Sequence, residues 1–327
     1  MSKEGREQTG HVTVSAILCT YNRSQSLTRA LESLTHTMVP DGFEWEVLVV
    51  DNNSTDQTAP IVEDFCGRYP GRFRYLFEAR QGKSYALNTG IREARGSVLA
   101  FVDDDVIVEP DWLQNLTSTL LDQSWAGCGG RILPERGFVP PYWLAIEGPC
   151  NLVGALCAYF DPGDVPGDLK EPPFGANMAF RKEMFDKYGY FRTDLGPFPD
   201  KKIGFEDTEF GRRLMQAGER LRYVPTAVVY HEVPAYRVRK EFLLEWWFDF
   251  GRGSIRETGK NLSAWETMKV LARTLLTAMQ WLLSVNSQNR FYRKCRTWYC
   301  SGKLFEVYHQ ATSANPPGEN LETAGSR

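Results

Sequence analysis

Val98–Asp105 reads VLAFVDDD, five apolar residues that end abruptly in three adjacent carboxylates. An unbroken apolar run of this length suits a strand buried on both faces, as in a parallel sheet covered by helices. The aspartates behind it fall where such sheets bind ligands, outside the carboxyl ends of the strands. Ionised carboxylates packed side by side repel, so the cluster needs a counter-charge. Hard oxygen ligands suit Mg²⁺ or Mn²⁺, which keep waters and bridge to substrate phosphates. Alternate side chains of an extended chain share a face, so Asp103 and Asp105 are expected to point together and Asp104 elsewhere. A solvated acidic loop cap is the plainer reading of the same residues.

Upstream, the apolar-then-polar unit repeats. Val12–Cys19 (VTVSAILC) has strand length and leads into TYNRS. Leu27, Ala30, Leu31 and Leu34 then recur at helical spacing. Trp45–Val50 (WEVLVV) reads as a second buried strand ending at Asp51-Asn52-Asn53, and Ser54 with Gln57 has capping-box spacing for a helix through about Cys66. Phe73–Phe77 is a third strand, and Tyr85–Ala94 a helix burying Ala86, Leu87, Gly90, Ile91 and Ala94. Strands alternating with helices predict an α/β fold. Three strands therefore end in polar sequence, at Thr20-Tyr21-Asn22-Arg23, Asp51-Asn52-Asn53 and Asp103-Asp104-Asp105, and a parallel sheet brings them to one edge.

Downstream, Gly127 to Lys170 is rich in Gly and Pro and predicts irregular strands and loops. Phe174–Arg181 (FGANMAFR) reads as a short strand and Glu183–Tyr188 as a short helix. Gly204-Phe205-Glu206-Asp207 precedes a helix carrying Phe210, Leu214 and Ala217, stopped by Gly218. Leu221–Tyr230 is a strand interrupted by Pro225, hence an edge or bulged one, and it ends at His231-Glu232.

Composition sets the outer limits. With 42% hydrophobic and 24% charged residues among 327, the chain can build a full core. A formal net charge of −3 argues against general nucleic-acid binding. The seven cysteines are odd in number and include no CxxC, so they read as small buried hydrophobes in a reducing compartment. MSKEGREQTGH has no apolar core and is no secretory signal, which makes a cytoplasmic location the expectation.

Other residues at the strand ends carry candidate chemistry. Asp51 can accept a hydrogen bond from a base ring N–H, or simply open the next helix. Tyr21 can stack on a base, or pack as a rim aromatic. Arg80-Gln81-Gly82-Lys83-Ser84 joins a strand to a helix start, where Arg80 and Lys83 can meet phosphates, although the P-loop spacing is absent. Glu206-Asp207 at a helix N-terminus can take a proton from an attacking hydroxyl, or serve as favourable charge there. His231 can be a late metal ligand or a core histidine.

Taken together, VSAILCTYNRSQSLTRALESL, EVLVVDNNSTDQT, RQGKSYALNTGIREARGSVLAFVDDD, GANMAFRKEMFDKYG and GFEDTEFGRRL resemble family 2 glycosyltransferases over roughly residues 12–235. The resemblance implies the GT-A fold, a mixed, mainly parallel sheet flanked by helices. Residues 12–126 would bind the nucleotide and 127–235 the acceptor, followed by a helical extension over 236–312. It implies inverting transfer from a nucleoside diphosphate sugar, UDP preferred, to a glycan, glycolipid or other hydroxyl acceptor in bacterial polysaccharide or glycolipid synthesis. By resemblance, Tyr21 packs on the base, Asp51 bonds its ring and Asp104 contacts ribose. Arg23, Arg80 and Lys83 complete the donor set. Asp105 binds Mn²⁺ or Mg²⁺, assisted by Asp103, with His231 as a third metal-site residue. Asp207, paired with Glu206, matches the general base, and Gly175, Ala176 and Asn177 line the sugar pocket. An unbroken DDD departs from the family's usual DxD, and the absence of QxxRW argues against the processive synthases. A sugar nucleotidyltransferase and a non-catalytic sugar-nucleotide or glycan-binding module are the rival readings. The first lacks its Gly-rich N-terminal signature here; the second would not need Glu206-Asp207.

Beyond Tyr236 the sequence reads as helical, and 313–327 as a disordered tail. Met268–Val285 is apolar but broken by Lys269, Arg273 and Gln280, and basic and aromatic residues follow to Lys303. Residues 268–303 suit either peripheral contact with the inner face of a plasma membrane or packing as a helical subdomain.

Overall fold

A computed structural model describes residues 14–198, 204–259 and 261–314. Residues 1–11, expected as a flexible N-terminus from their lack of apolar pattern, lie outside the described residues, as does the expected disordered tail from 315 onward, whereas 313–314 close the last helix. The chain divides into two compact units, one of residues 1–141 and 152–238, the other of 142–151 and 239–327. Residues 142–151, expected in the acceptor half, thus group with the C-terminal helices.

The first unit is built on one sheet. Its strands are β1 (Val14–Thr20), β2 (Trp45–Asp51), β3 (Phe73–Phe77), β4 (Val98–Asp103), β5 (Val106–Val108), β6 (Gly127–Pro134), β7 (Gly167–Asp168), β8 (Met178–Arg181) and β9 (Leu221–His231). They lie in the order β3-β2-β1-β4-β8-β6-β9-β5, with β7 on β9. β1 to β4 pair in parallel, as do β6 and β9, whereas β8, β5 and β7 run antiparallel to their neighbours. The helices are α1 (Ser24–Thr35), α2 (Thr58–Arg68), α3 (Lys83–Glu93), α4 (Trp112–Ser118), α5 (Gly154–Cys157), α6 (Glu183–Tyr188) and α7 (Glu206–Gln216).

Two apolar layers cover the sheet. Along β4, Val98, Ala100 and Val102 join a core with Leu31 of α1, Phe65 of α2 and Trp112 of α4. Leu99 and Phe101 enter the opposite core with Ile91 of α3, Phe185 of α6 and Phe210 of α7. Alternation along a strand buried on both faces produces this division.

Several local expectations are corrected. The Ser54/Gln57 capping box does not form, because α2 starts at Thr58 with no cap from Gln57. Ser54 Oγ instead accepts the Asn22 amide at 3.0 Å. Asp56 serves both helices, accepting the Ser24 amide at 2.9 Å and the Thr58 amide at 3.1 Å. Within Gly127–Lys170, expected to hold irregular strands and loops, β6 is an eight-residue strand between β8 and β9, its register with β9 shifting after Gly130. Its glycines disguise it, since strand propensity is low for Gly, yet close packing demands them. A Cβ on Gly130 would overlap the Ala227 carbonyl, and one on Gly127 the Phe180 ring. Pro225 does sit at a break, where the β6–β9 register shifts, but β9 is not an edge strand. Ala217 caps α7 from an exposed position rather than joining its buried face.

The second unit holds α8 (Lys240–Thr258), α9 (Ala264–Leu283) and α10 (Ser287–Ala314). α8 and α10 are tied by the buried Glu306, whose oxygens accept from Arg252 Nε at 3.1 Å and Arg256 Nε at 2.6 Å. No described helix is long and apolar enough to cross a membrane.

Candidate active site

Register levels three strand ends. Cys19 of β1 pairs with Asp103 of β4, and Thr20 with Asp51 of β2. The loops beyond β1 and β2 each turn on an asparagine at positive φ, Asn22 at 50° and Asn53 at 64°. Asparagine tolerates this region better than most residues. The loops are tied together, since Asn22 Oδ1 accepts the Thr55 amide at 2.7 Å. Tyr21 is half-buried on the first loop. Asp51 is buried, and its oxygens accept from the Ser54 amide and the Tyr75 hydroxyl, both at 2.9 Å. Burial and that hydrogen bond push the Tyr75 phenol up to about 12. Asn52 fastens the third loop by donating to the Arg80 carbonyl at 2.6 Å and accepting the Gly82 amide at 2.8 Å.

The aspartate triplet is divided among partners. Lys83 Nζ, at the start of α3, lies 2.5 Å from Asp103 Oδ1. Asp104 accepts from Thr20 Oγ1 at 2.7 Å and Arg23 at 3.0 Å. Asp105 accepts from Arg23 at 2.9 Å and Arg237 at 2.6 Å. Burial raises Asp104 to about 6, with Arg23 opposing and Asp105 reinforcing the rise. Asp105 is equally buried, but His231, Arg237 and Arg23 outweigh that burial and hold its carboxyl well below the usual range.

Asp103, Asp105 and His231 each present a ligand atom, and these atoms lie within 4.8 Å of one another. His231 closes β9 and sets Nδ1 2.9 Å from the Glu232 carbonyl, a contact that makes Nδ1 the protonated nitrogen. Its Nε2 then faces Asp105 Oδ1 at 3.3 Å, which turns that ring nitrogen toward the carboxylates as a candidate ligand atom. Two carboxylates and an imidazole fit Mn²⁺, and Mg²⁺ less well because of the nitrogen.

A second acidic pair opens α7. Phe205, a non-glycine residue at φ 81°, turns the chain into the helix. Glu206 is buried, 3.8 Å from Lys83 Nζ. Burial lifts its carboxyl to about 8, the neighbouring Asp207 adds to this, and Lys83 opposes it. Asp207 accepts from the Gly175 and Thr208 amides, each at 2.6 Å. A Cβ on Gly175 would stand 3.2 Å from Asp207 Oδ2 and 3.6 Å from Lys83 Nζ. The bare glycine keeps the gap between Asp207 and Lys83 open.

Not every sequence-selected residue joins this site. Arg80 is exposed and paired with Glu78 at 2.9 Å, away from the triplet. Ala176 and Asn177 are buried. The Asn177 amide is spent inside the sheet, donating to the Arg131 and Ala227 carbonyls at 3.0 and 2.8 Å and accepting Trp112 Nε1 at 2.8 Å. Its side chain therefore braces β6 and β9 instead of facing a sugar. Conversely, the sequence places Thr20 and Asn52 at the polar strand ends without a role of their own, and gives no signal for Arg237. Arg237 looks no different there from Arg239 or Lys240, and only its long-range contact with Asp105 distinguishes it.

Residues 15–189 match the model of the family described as Glycosyl transferase family 2. The chain belongs to that family. This family 2 member is 27% identical over 272 residues to the glycosyltransferase AglE of Haloferax volcanii, spanning 83% of this chain and 80% of that one. It is 29% identical over 243 residues to the glucosyl-dolichyl phosphate glucuronosyltransferase of the same organism, spanning 71% and 72%. Among solved structures it resembles a mannosyltransferase, PcManGT, from Pyrobaculum calidifontis, determined with GDP-Man and Mn²⁺. The TM-score is 0.63 at 19% identity, over 92% of this chain and 89% of that one. The fold is GT-A, and the family 2 member is a glycosyltransferase.

Proposed function

We propose that the chain transfers a sugar, with inversion, from a nucleoside diphosphate sugar to a hydroxyl on a lipid-linked or polysaccharide acceptor. The observation that carries this reading is the placement of Lys83 between two acidic clusters, 2.5 Å from Asp103 and 3.8 Å from Glu206. Asp105, Asp103 and His231 form the metal site. Lys83, Arg23 and Arg237 are the cations that meet the diphosphate. UDP is the proposed carrier, with Tyr21 against the uracil and Asp51 accepting its ring N–H. The dolichyl phosphate in the name of one relative supports a lipid-linked acceptor.

Asp207 removes the acceptor hydroxyl proton, and the oxygen bonds to the anomeric carbon from the face opposite the diphosphate. The bond from that carbon to the phosphate oxygen breaks as it forms, and the nucleoside diphosphate leaves with the electron pair. Lys83 and the two arginines stabilise the charge that develops on the leaving oxygen. A divalent ion, when bound, supplies further neutralisation of the diphosphate. The Gly175 and Thr208 amides hold Asp207 in line for the hydroxyl. Thermal-shift screening of UDP- and GDP-sugars with Mn²⁺, followed by anomeric analysis of the product, tests the proposal. Stabilisation by a UDP-sugar and an inverted linkage are expected; a retained linkage refutes it.

A further inference from the structure

α9 is amphipathic with its faces reversed. The side packed along α10 carries hydroxyls, with Thr267, Thr274, Thr277 and Ser284 each donating to the carbonyl four residues back at 2.6–3.0 Å. Those bonds remove the hydroxyls' need for other partners and leave methyl groups for packing. The same side meets α10 through Trp281 against Trp298 and Gln280 accepting from Arg293 at 2.8 Å. The opposite side is apolar and uncovered. Met268, Leu271, Leu275, Leu276, Met279 and Leu282 recur at helical spacing, each between 48% and 69% exposed. Trp265 at one end and Leu283 at the other extend the stripe.

Contiguous apolar surface of this extent marks a docking face. Residues 315–327 (NPPGENLETAGSR) hold one large apolar residue, Leu321, too little to cover it. The charge around the stripe selects the partner. Residues 264–314 carry seven Lys or Arg against two Glu, in a chain whose formal net charge is −3. The exposed Lys269 and Arg273 lie on α9 itself. A second copy of the chain would bring like charge to this basic segment, whereas anionic headgroups complement it.

We infer that α9 docks on an anionic lipid bilayer, lying in the interface with its Leu/Met stripe among the acyl chains. The stripe fits a helix that rests on a bilayer rather than one that spans it, consistent with its interrupting charges. The inference extends the proposal of a lipid-linked acceptor, but its test needs no donor or acceptor.

The test is co-sedimentation of the full chain with vesicles of phosphatidylcholine alone or with about 30% phosphatidylglycerol, which gives the surface a negative potential. Wild type is expected to bind the anionic vesicles, less tightly in high salt. Leu275→Glu with Leu282→Glu should weaken binding at least about tenfold, since two large apolar contacts are lost. Both positions are exposed, so circular dichroism and the thermal melting temperature should be unchanged. Absent or equal vesicle binding by the two proteins overturns the inference. So does a concentration-dependent dimer that the double substitution dissolves without any vesicle binding. Loss of sugar transfer with vesicle binding intact would instead count only against the proposed function.

Discussion

The two acidic clusters of the first unit are built from the same side-chain chemistry, yet Asp105 in one and Glu206 in the other reach opposite states. At the end of β4, three buried or half-buried aspartates face Lys83, Arg23, Arg237 and His231, and Asp105 stays ionised despite its burial. At the start of α7, the buried Glu206 has Lys83 at 3.8 Å as its one ion-pair partner among the described residues, and its carboxyl rises to about 8. Burial acts alike on Asp105 and Glu206, so among the described residues the cations beside each carboxyl separate the two. A cluster supplied with charge suits an ion and a diphosphate. A cluster that keeps protons near neutrality suits proton transfer.

The sharpest way to break that division of labour is Asp207→Asn. Turnover should fall about 10²–10⁴-fold, the range for losing a positioned base, while UDP-sugar affinity with Mn²⁺ stays within about twofold. Measuring both separates the clusters; a matching loss of donor affinity would merge them. Next in size is Arg237→Ala. Arg237 competes with any metal for Asp105, so its removal should tighten Mn²⁺ binding without donor by about tenfold, or about 1.4 kcal/mol. Isothermal titration reads this directly, and weaker Mn²⁺ binding would show that Arg237 builds the site rather than guarding it.

Glu206 gives a smaller, pH-dependent effect. Its folded value of about 8 lies above the reference 4.5, so the folded chain keeps a proton that the unfolded chain releases. Stability is therefore lost progressively as pH rises from about 4.5 to 8, and levels off above. Glu206→Gln abolishes this loss, so its Tm relative to wild type should rise between pH 5 and 8. A pH-independent difference would mean that Glu206 is not protonated in the folded chain. The smallest effect belongs to Arg80→Ala, which should change Mn²⁺ affinity less than about twofold, because the exposed Arg80 pairs with Glu78 and not with the aspartate triplet.

The parallel half of the fold is legible because both-face burial writes itself as apolar runs such as VLAFV and WEVLVV. The level strand ends follow from that topology alone, which is why Tyr21, Asp51 and the triplet fall together. What local sequence hides is anything decided by a distant partner. β6 is a strand of glycines because Phe180 and Ala227 leave no room for side chains. Asp56 caps two helices at once, so the nearer Ser54 and Gln57 mislead. Asn177 and Arg80 look like site residues by position, yet Trp112 and Glu78 claim them. Arg237 reaches Asp105 from 132 residues away, beyond what any motif spacing encodes.

The central claim is that Asp103, Asp105 and His231 hold the ion that receives the donor. Titration of Mn²⁺ into metal-free protein, followed by electron paramagnetic resonance, tests it most directly. The account predicts one saturable site per chain, lost in Asp105→Ala and weakened in His231→Ala, with the fold intact by circular dichroism. Undiminished Mn²⁺ binding by Asp105→Ala, or full turnover by chelator-treated wild type, would contradict it.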